Sequence, residues 1–432
     1  MLSSKKNLKD NNSVVFFIFF LTILLGYYFN EDSLGGAKND FLYHFKLSDN
    51  FKLNFLESWN KFGTDEHGWK TRNSPIFWIF LSVINKFLEI DLIRLLNTGI
   101  SLLISIFFYK CLIIKFKSIN HMHLCLVACS IFLSPTIRSL SIWPYSLAWA
   151  LLFFLISIYY YLLFEQSNDP YKKLELSIKN ILFLVLSSYI YPSFSVFYIY
   201  FFLCFFNYFG KSKKILYIII FSLILSVPAI YFVISRDFFQ SIRAAEGLSV
   251  SIFTVLNPSN KITIISSLFL FFIIPFLNFK KTYLDILNNL KISSFLFIIS
   301  FCFLNFYFFD YPYIKGVGFG GGFFHKISNH VFENNTILFI SSFFSIIIIF
   351  CSFSKVKINY LLFATLIAFN LQLTIYNKYF DPLIIIIVFL LFKIDMKNLF
   401  FEKKYNFLQL YFFTSIYLFM GMFKDFFLNL KI

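Results

Sequence analysis

Uninterrupted apolar runs recur from one end of this chain to the other, and they restrict the folds that it can adopt. Examples are Ile181–Leu186, Ile215–Ile220, Ser345–Phe350 and Leu383–Leu391. The chain is 59% hydrophobic and 14% charged, whereas soluble domains average roughly 45–50% apolar and 25% charged residues. One soluble core cannot cover so many apolar runs. The sequence therefore predicts an all-α, polytopic transmembrane helical bundle.

The apolar stretches predict about 12 to 14 membrane spans. The first, Ser13–Phe29, is followed by no small-residue cleavage site, so it is expected to stay as an uncleaved anchor. The next three stretches are Pro75–Leu88, Leu92–Ile114 and His123–Leu133. They give three crossings where the charge pattern requires two or four. Either one of them is not a full span, or the lysines that follow the second one break the charge rule.

The net charge of +16 does not indicate nucleic acid as a partner, because the lysines cluster between apolar spans. Cations in such positions set the orientation of a membrane protein, with the lysine-rich loops on the cytoplasmic side. Lys5, Lys6 and Lys9 therefore predict a cytoplasmic N-terminus, and the segment that follows the first span is expected to be external.

That external segment, residues 30–73, is polar and holds seven of the 22 acidic residues of the chain. Its informative runs are Asn30-Glu31-Asp32, Asn39-Asp40-Phe41-Leu42-Tyr43-His44 and Asp65-Glu66-His67. A long acidic segment with aromatic residues, directly after the first span, indicates carboxylates that are held at the membrane surface. The sequence predicts short interfacial helices here.

In these motifs the chain resembles the GT-C superfamily of integral-membrane glycosyltransferases, a group similar to the protein O-mannosyltransferases and the bacterial aminoarabinose transferase. The resemblance covers about residues 10–235. It is carried by Asp40 with Tyr43, by Arg72-Asn73-Ser74-Pro75-Ile76-Phe77 in place of a His-Pro-Pro-like run, by Ile90–Leu95 with its Arg94, and by Arg138 to Tyr145. Because the acidic motif is a lone Asp40 rather than a pair, it stays open which carboxylate is the base.

The lysine pattern predicts a cytoplasmic N-terminus at 1–12, and the resemblance implies a catalytic transmembrane module at 13–235 that includes the external loop 30–73. The lower density of motifs after it predicts a variable transmembrane module at 236–432. It also implies transfer of a sugar from a polyprenyl-phosphate donor to a cell-envelope glycan or lipid acceptor, with inversion at the anomeric carbon. A carboxylate then deprotonates the acceptor hydroxyl, and cations stabilise the leaving phosphate. The candidates for the base are Asp40, Asp65 and Glu66.

The candidate substrate-binding residues follow from these motifs and from the rarity of arginine. The chain has only five arginines, and four of them lie in segments that are expected to be external. Arginine binds phosphate with two parallel hydrogen bonds, which lysine cannot do. Snorkelling to lipid headgroups is the alternative explanation. The predicted substrate-binding residues are Tyr43, His44, Arg72, Arg138, Tyr145, Arg236, Arg243, Lys378 and Asp381.

Two other classes of protein remain open. An O-antigen polymerase or ligase has a similar number of spans, although its large external loop usually comes late in the chain. A transporter or flippase typically carries midplane charges and inverted repeats, and neither is visible here. No cofactor is certain, and a divalent metal is allowed although no metal ligands are predicted. The expected location is the bacterial inner (plasma) membrane.

Overall fold

The computed structural model describes residues 2–64, 74–235, 257–277, 282–284, 286, 288, 290–312, 320–353, 356–370, 372–396, 400–401 and 405–423. The chain forms two compact units, Met1–Ser249 with Thr414–Ile432, and Val250–Phe413. The described residues are almost entirely helical, and their one isolated β-bridge joins Gly320 to Ile375. The predicted polytopic helical bundle is confirmed. The division between residues 235 and 236 stays a prediction.

Among the described residues of the first unit, eleven α-helices precede residue 236. They are α1 Leu2–Tyr28, α2 Ala37–Leu53, α3 Phe55–Lys61, α4 Ile76–Ile84, α5 Ile90–Lys115, α6 His121–Cys129, α7 Pro135–Ile142, α8 Ser146–Gln166, α9 Pro170–Ile190, α10 Phe197–Phe209 and α11 Lys213–Ser235. Helix α1 packs against α5, α6 and α7, and α8 packs against α5 and α9. The short helices α2 and α3 lie within segment 30–73, which agrees with the predicted fold class.

The second unit is built around α12, which is buried along most of its length. Its helices are α12 Pro258–Ile273, α13 Ile292–Tyr307, α14 Gly322–Phe332, α15 Thr336–Ile348, α16 Ile358–Phe369 and α17 Leu383–Leu390. Each of the other five packs against α12. The last described helix, α18 Tyr405–Met422, begins in this unit, and its residues from Thr414 onward belong to the first unit.

Five of the described helical segments are long and apolar enough to cross a membrane, and a sixth is present if His121–Leu133 and Pro135–Ile142, bent by 64°, form one span. The five are Ile90–Lys115, Ser146–Gln166, Pro192–Phe209, Lys213–Ser235 and Pro258–Phe276. Four shorter apolar helices are Asn12–Tyr28, Ile292–Tyr307, Thr336–Cys351 and Ile358–Phe369. The protein is therefore a multi-pass membrane protein. The described residues hold fewer long spans than the sequence predicts, because several apolar stretches form shorter helices.

Helix α4 accounts for the odd number of crossings in the sequence. The predicted span Pro75–Leu88 forms a helix of only nine residues, Ile76–Ile84. Its length is about 13 Å, less than half of a hydrocarbon core of ~30 Å. Helix α4 is therefore too short to cross. With the bent pair as one span, α5 and that pair make two crossings. This is an even number, as the charge pattern requires.

Side-chain caps fix where several helices begin. Ser134, Asp169 and Asn257 each accept a hydrogen bond from a backbone N–H in the first turn of α7, α9 and α12. A proline follows each cap at the first helical position, where its missing N–H costs nothing and its fixed φ suits the helix. A cap followed by proline is thus a local signal that this chain uses three times.

Polar side chains join apolar helices inside the first unit. Asn180 of α9 donates from Nδ2 to the carbonyl and hydroxyl oxygens of Ser157 in α8, at 2.9 and 2.8 Å. The Ser187 hydroxyl donates to the carbonyl oxygen of Ala150 at 2.7 Å. Hydrogen bonds of this kind hold helices together where no water competes. They fix α8 and α9 as a rigid pair.

Candidate functional site

Asp32, the acidic residue that closes the first sequence motif, precedes helix α2 and binds the N–H groups at its start. Its two carboxylate oxygens accept hydrogen bonds from the backbone N–H groups of Gly35, Gly36, Ala37 and Lys38, at 2.8 to 3.2 Å. The first N–H groups of a helix have no intrahelical partner, and a negative charge there is favoured by the helix dipole. Asp32 therefore serves to start α2.

The predicted residues Asp40, Tyr43 and His44 lie along α2. Asp40 and His44 are four residues apart, so they share one face of the helix. Asp40 and His44 are half-buried, whereas Tyr43 is exposed. Helix α2 thus presents the predicted base and a predicted substrate-binding residue on the same side.

The His44 ring lies in an aromatic cluster that also contains the predicted residue Tyr145. The ring stacks on Trp78 of α4 with 5.1 Å between the centroids and 23° between the planes. The Tyr145 ring is 6.1 Å from His44 and 6.4 Å from Trp78, and Tyr43 meets His44 edge to face at 5.1 Å. Trp78 directly follows the run Pro75-Ile76-Phe77 and is not among the site residues predicted from the sequence. The structure adds it.

The far end of α2 is joined to the end of α4. Asn85 donates from Nδ2 to Oδ1 of Asp49 at 2.6 Å, and Lys52 donates from Nζ to the carbonyl oxygen of Asn85 at 2.8 Å. These contacts hold α2 against α4. The C-terminal end of α2 is therefore fixed beside α4, which carries Trp78.

Arg138 of α7 is buried and binds Glu31. Its Nε and Nη2 donate to the two carboxylate oxygens of Glu31 at 2.7 and 2.5 Å, and both side chains are only 6% exposed. The same guanidinium donates to the hydroxyl and the carbonyl oxygen of Thr22, at 2.9 Å each, and to the carbonyl oxygen of Phe132 at 3.3 Å. The structure thus places Arg138 in an internal contact, and its role as a substrate ligand stays a prediction.

A second buried arginine, Arg94 of α5, packs on Trp143. Its Cζ atom lies 3.7 Å from the Trp143 ring centroid, a cation–π distance. The guanidinium also donates to Oδ1 of Asp91 at 3.0 Å and to Oδ1 of Asn30 at 2.7 Å. Two of the five arginines are therefore bound to the segment between α1 and α2.

The other predicted site residues divide into two groups. Lys378 and Asp381 lie in the second unit, where Lys378 is near the rings of Tyr376 and Tyr379 and Asp381 is buried. Five more lie outside the described residues, namely Asp65, Glu66, Arg72, Arg236 and Arg243. Within the described residues, no three His, Cys, Asp or Glu side chains form a group that could hold a metal ion.

An apolar cavity of about 530 Å³ lies in the first unit, between the start of α4 and helices α9, α10 and α11. Its lining is dominated by apolar side chains with a few serines, and it includes Trp59, Ser74, Pro75, Ile76, Tyr189 and Phe232. Its volume is within the range of roughly 300–1,000 Å³ for ligand sites. Helix α4 thus contributes Trp78 to the aromatic cluster and Ile76 to the cavity wall.

His325 of α14, in the second unit, is a buried histidine. Its ring is 5.3 Å from the ring of Tyr311 and 6.3 Å from that of Phe309. Burial, with the positive charge of Lys326 beside it, lowers the pKa of His325 to about 4. The imidazole is therefore neutral at neutral pH.

No family model matches this chain, and neither a curated protein nor a solved structure matches it. The likeness to the GT-C superfamily therefore rests on the sequence motifs alone.

Proposed function

We propose that this protein is a membrane glycosyltransferase that moves a sugar from a polyprenyl-phosphate donor to a cell-envelope glycan or lipid acceptor, with inversion. The observation that carries the proposal is the arrangement around α4. On one side, His44 of the Asp40 face of α2 stacks on Trp78 and lies near Tyr145. On the other side, Ile76 lines the apolar cavity. A lipid-linked sugar needs an aromatic surface for its sugar and an apolar cavity for its lipid chain.

Asp40 is the proposed general base. Its carboxylate takes the proton of the acceptor hydroxyl, and the acceptor oxygen forms a bond to the anomeric carbon. The bond from that carbon to the phosphate oxygen breaks, and its electron pair leaves with the polyprenyl phosphate. The rings of His44, Trp78 and Tyr145 give the sugar an apolar surface to pack on.

The apolar cavity suits part of the lipid chain. Its lining is almost free of charged groups, so an isoprenoid or acyl segment could enter it without burying a charge. Its volume holds a segment of a polyprenyl chain and leaves the remainder in the bilayer. The phosphate would lie near the membrane surface, with Arg72, Arg236 and Arg243 as the predicted cations.

The proposed site faces the non-cytoplasmic side. Lysines at positions 5, 6 and 9 favour a cytoplasmic N-terminus, so one crossing by α1 puts segment 30–73 outside. Because α4 is too short to cross, α5 and the bent pair return the chain to that side before Tyr145. Asp40 and Tyr145 then share one face of the membrane. The bacterial inner membrane, where such donors are presented, is the proposed location.

The test uses the full chain in liposomes with synthetic polyprenyl-phosphate sugars carrying a labelled sugar, together with a lipid or glycan acceptor. Asp40→Asn is expected to reduce transfer by roughly 10²–10⁴-fold and to leave thermal unfolding unchanged. Glu57→Gln is the matched control, because Glu57 is an exposed acid of the same segment and its carboxylate pairs with Lys61 at 3.1 Å. Its activity should equal that of the unaltered chain.

Two results would contradict parts of the proposal. The first is unaltered transfer by Asp40→Asn, which would overturn Asp40 as the base and give that role to Asp65 or Glu66. The second is movement of the labelled lipid across the bilayer with no cleavage of the sugar from its phosphate. That result would identify a flippase instead of a transferase.

A further inference from the structure

Several residues of the short linker between α1 and α2 are hydrogen-bonded to helices α5 and α7. We propose that Glu31 and Arg138 are positioning residues, whose buried ion pair fixes this linker and thereby sets the place of Asp40 and His44. The catalytic consequence rests on the proposed function, whereas the effect on the position of α2 can be measured without it.

The ion pair joins parts of the chain that are 107 residues apart. Arg138 uses Nε and Nη2 on the two carboxylate oxygens of Glu31, a two-bond geometry that specifies direction as well as distance. Its Nη1 and Nη2 also bind Thr22 inside α1. One guanidinium therefore ties the end of α1, the linker and α7 together.

The neighbours of Glu31 are held by separate contacts. Asn30 accepts from Arg94 at 2.7 Å, and the carbonyl oxygen of Glu31 accepts from Nε1 of Trp143 at 3.0 Å. The backbone N–H of Leu34 donates to the Ser139 hydroxyl at 2.8 Å. Between Glu31 and Leu34 lies Asp32, whose carboxylate binds N–H groups at the start of α2. The position of α2 is thus set by a continuous series of bonds that begins at Arg138.

Net stability alone is a weak reason for such a pair. Removing two charges from water costs nearly as much as their attraction returns, so apolar side chains of similar size often stabilise a protein equally well. An ion pair with two defined hydrogen bonds excludes alternative placements of the linker, which an apolar contact would allow. For a helix that must present Asp40 at a fixed point, this specificity is the useful property.

The experiment compares three full-length variants in micelles and in liposomes. Arg138→Lys keeps the positive charge but cannot form the two parallel hydrogen bonds to Glu31. Glu31→Gln removes the charge of the partner. Glu31→Leu with Arg138→Leu removes both charges, so that neither is left unpaired in the interior. The last variant tests position even if the single variants unfold.

Hydrogen exchange of the backbone amides from Gly35 to Asp40 reports the order of α2 without reference to activity. In Arg138→Lys and in the double leucine variant, these amides should exchange about tenfold faster or more, while the amides of α8 keep their rates. In the transfer assay, kcat should fall about tenfold or more in both variants, with KM for the lipid donor nearly unchanged. The double leucine variant should nevertheless melt at nearly the temperature of the unaltered chain.

A double leucine variant with unaltered kcat and unaltered exchange in α2 would overturn the inference, because the pair would then only add stability. If the unaltered chain shows no transfer at all, the proposed function fails, and the exchange measurement still decides whether the ion pair positions α2.

Discussion

A single methyl group added at Gly26 gives the sharpest test of the buried ion pair. Gly26 lies in α1, where glycine is usually destabilising relative to alanine by roughly 0.5–1 kcal/mol. An alanine Cβ at this position would come within 3.0 Å of Oε2 of Glu31, with Cδ1 of Ile142 at 3.1 Å and Nη2 of Arg138 at 3.2 Å. The Glu31 carboxylate fits against α1 because Gly26 has no side chain.

The magnitude follows from what must move. The Glu31 carboxylate cannot shift without lengthening its bonds of 2.5 and 2.7 Å to Arg138, because both groups are buried. Breaking a buried ion pair costs about 3–5 kcal/mol, and the helix propensity of alanine returns about 1 kcal/mol. The expected net loss for Gly26→Ala is therefore about 2–4 kcal/mol.

Thermal unfolding in detergent, followed by tryptophan fluorescence, measures this loss. Gly99→Ala is the matched control, because Gly99 lies inside α5 and an added Cβ meets nothing within 4 Å. The control should be neutral or more stable by up to about 1 kcal/mol. A Gly26→Ala protein as stable as the Gly99→Ala protein would refute the placement of the ion pair against α1.

Two further predictions concern the cap of α2 and the buried histidine of the second unit. Asp32→Ala should destabilise the protein by about 1–2 kcal/mol in the same unfolding assay, because four N–H groups lose their acceptor, whereas Asp32→Asn should retain most of the stability. The pKa of His325 is about 4 in the folded protein and near 6.5 when unfolded, so its contribution to stability is complete above about pH 6.5 and falls by about 1.4 kcal/mol per pH unit on going down to pH 4. Melting curves from pH 4 to 7 should show this slope, His325→Phe should flatten it, and an unchanged slope in His325→Phe with a change in the His330→Phe control would contradict the assignment.

The fold class could be predicted from composition, but the number of long spans could not. A run of apolar residues indicates that a segment avoids water, but it does not predict how long a helix the segment forms. Pro75–Leu88 has the composition of a span and forms a helix of only nine residues. A length threshold would not have singled out this stretch, because the neighbouring stretch His123–Leu133 is shorter still and forms part of the bent pair.

The rarity of arginine drew attention to Arg138, but its contacts could not be predicted from the sequence. Nothing in spacing or periodicity relates Arg138 to Glu31, since the contact depends on how α7 packs beside α1. The aromatic cluster around His44 could be predicted only in part. His44 and Tyr145 were chosen from motifs, whereas Trp78 joins them only because the short α4 lies against α2.

Three of the seven carboxylates in the acidic segment can be assigned to contacts at or near α2. Glu31 binds Arg138, Asp32 starts α2, and Asp49 accepts from Asn85. Each of these contacts helps to hold α2 in place. Three of the acidic side chains therefore serve to position one helix. A mobile surface loop would gain nothing from that arrangement, whereas a helix that carries a reacting group to a defined point requires it. The position of Asp40 on this helix, on the face of His44, is what makes it the first residue to test.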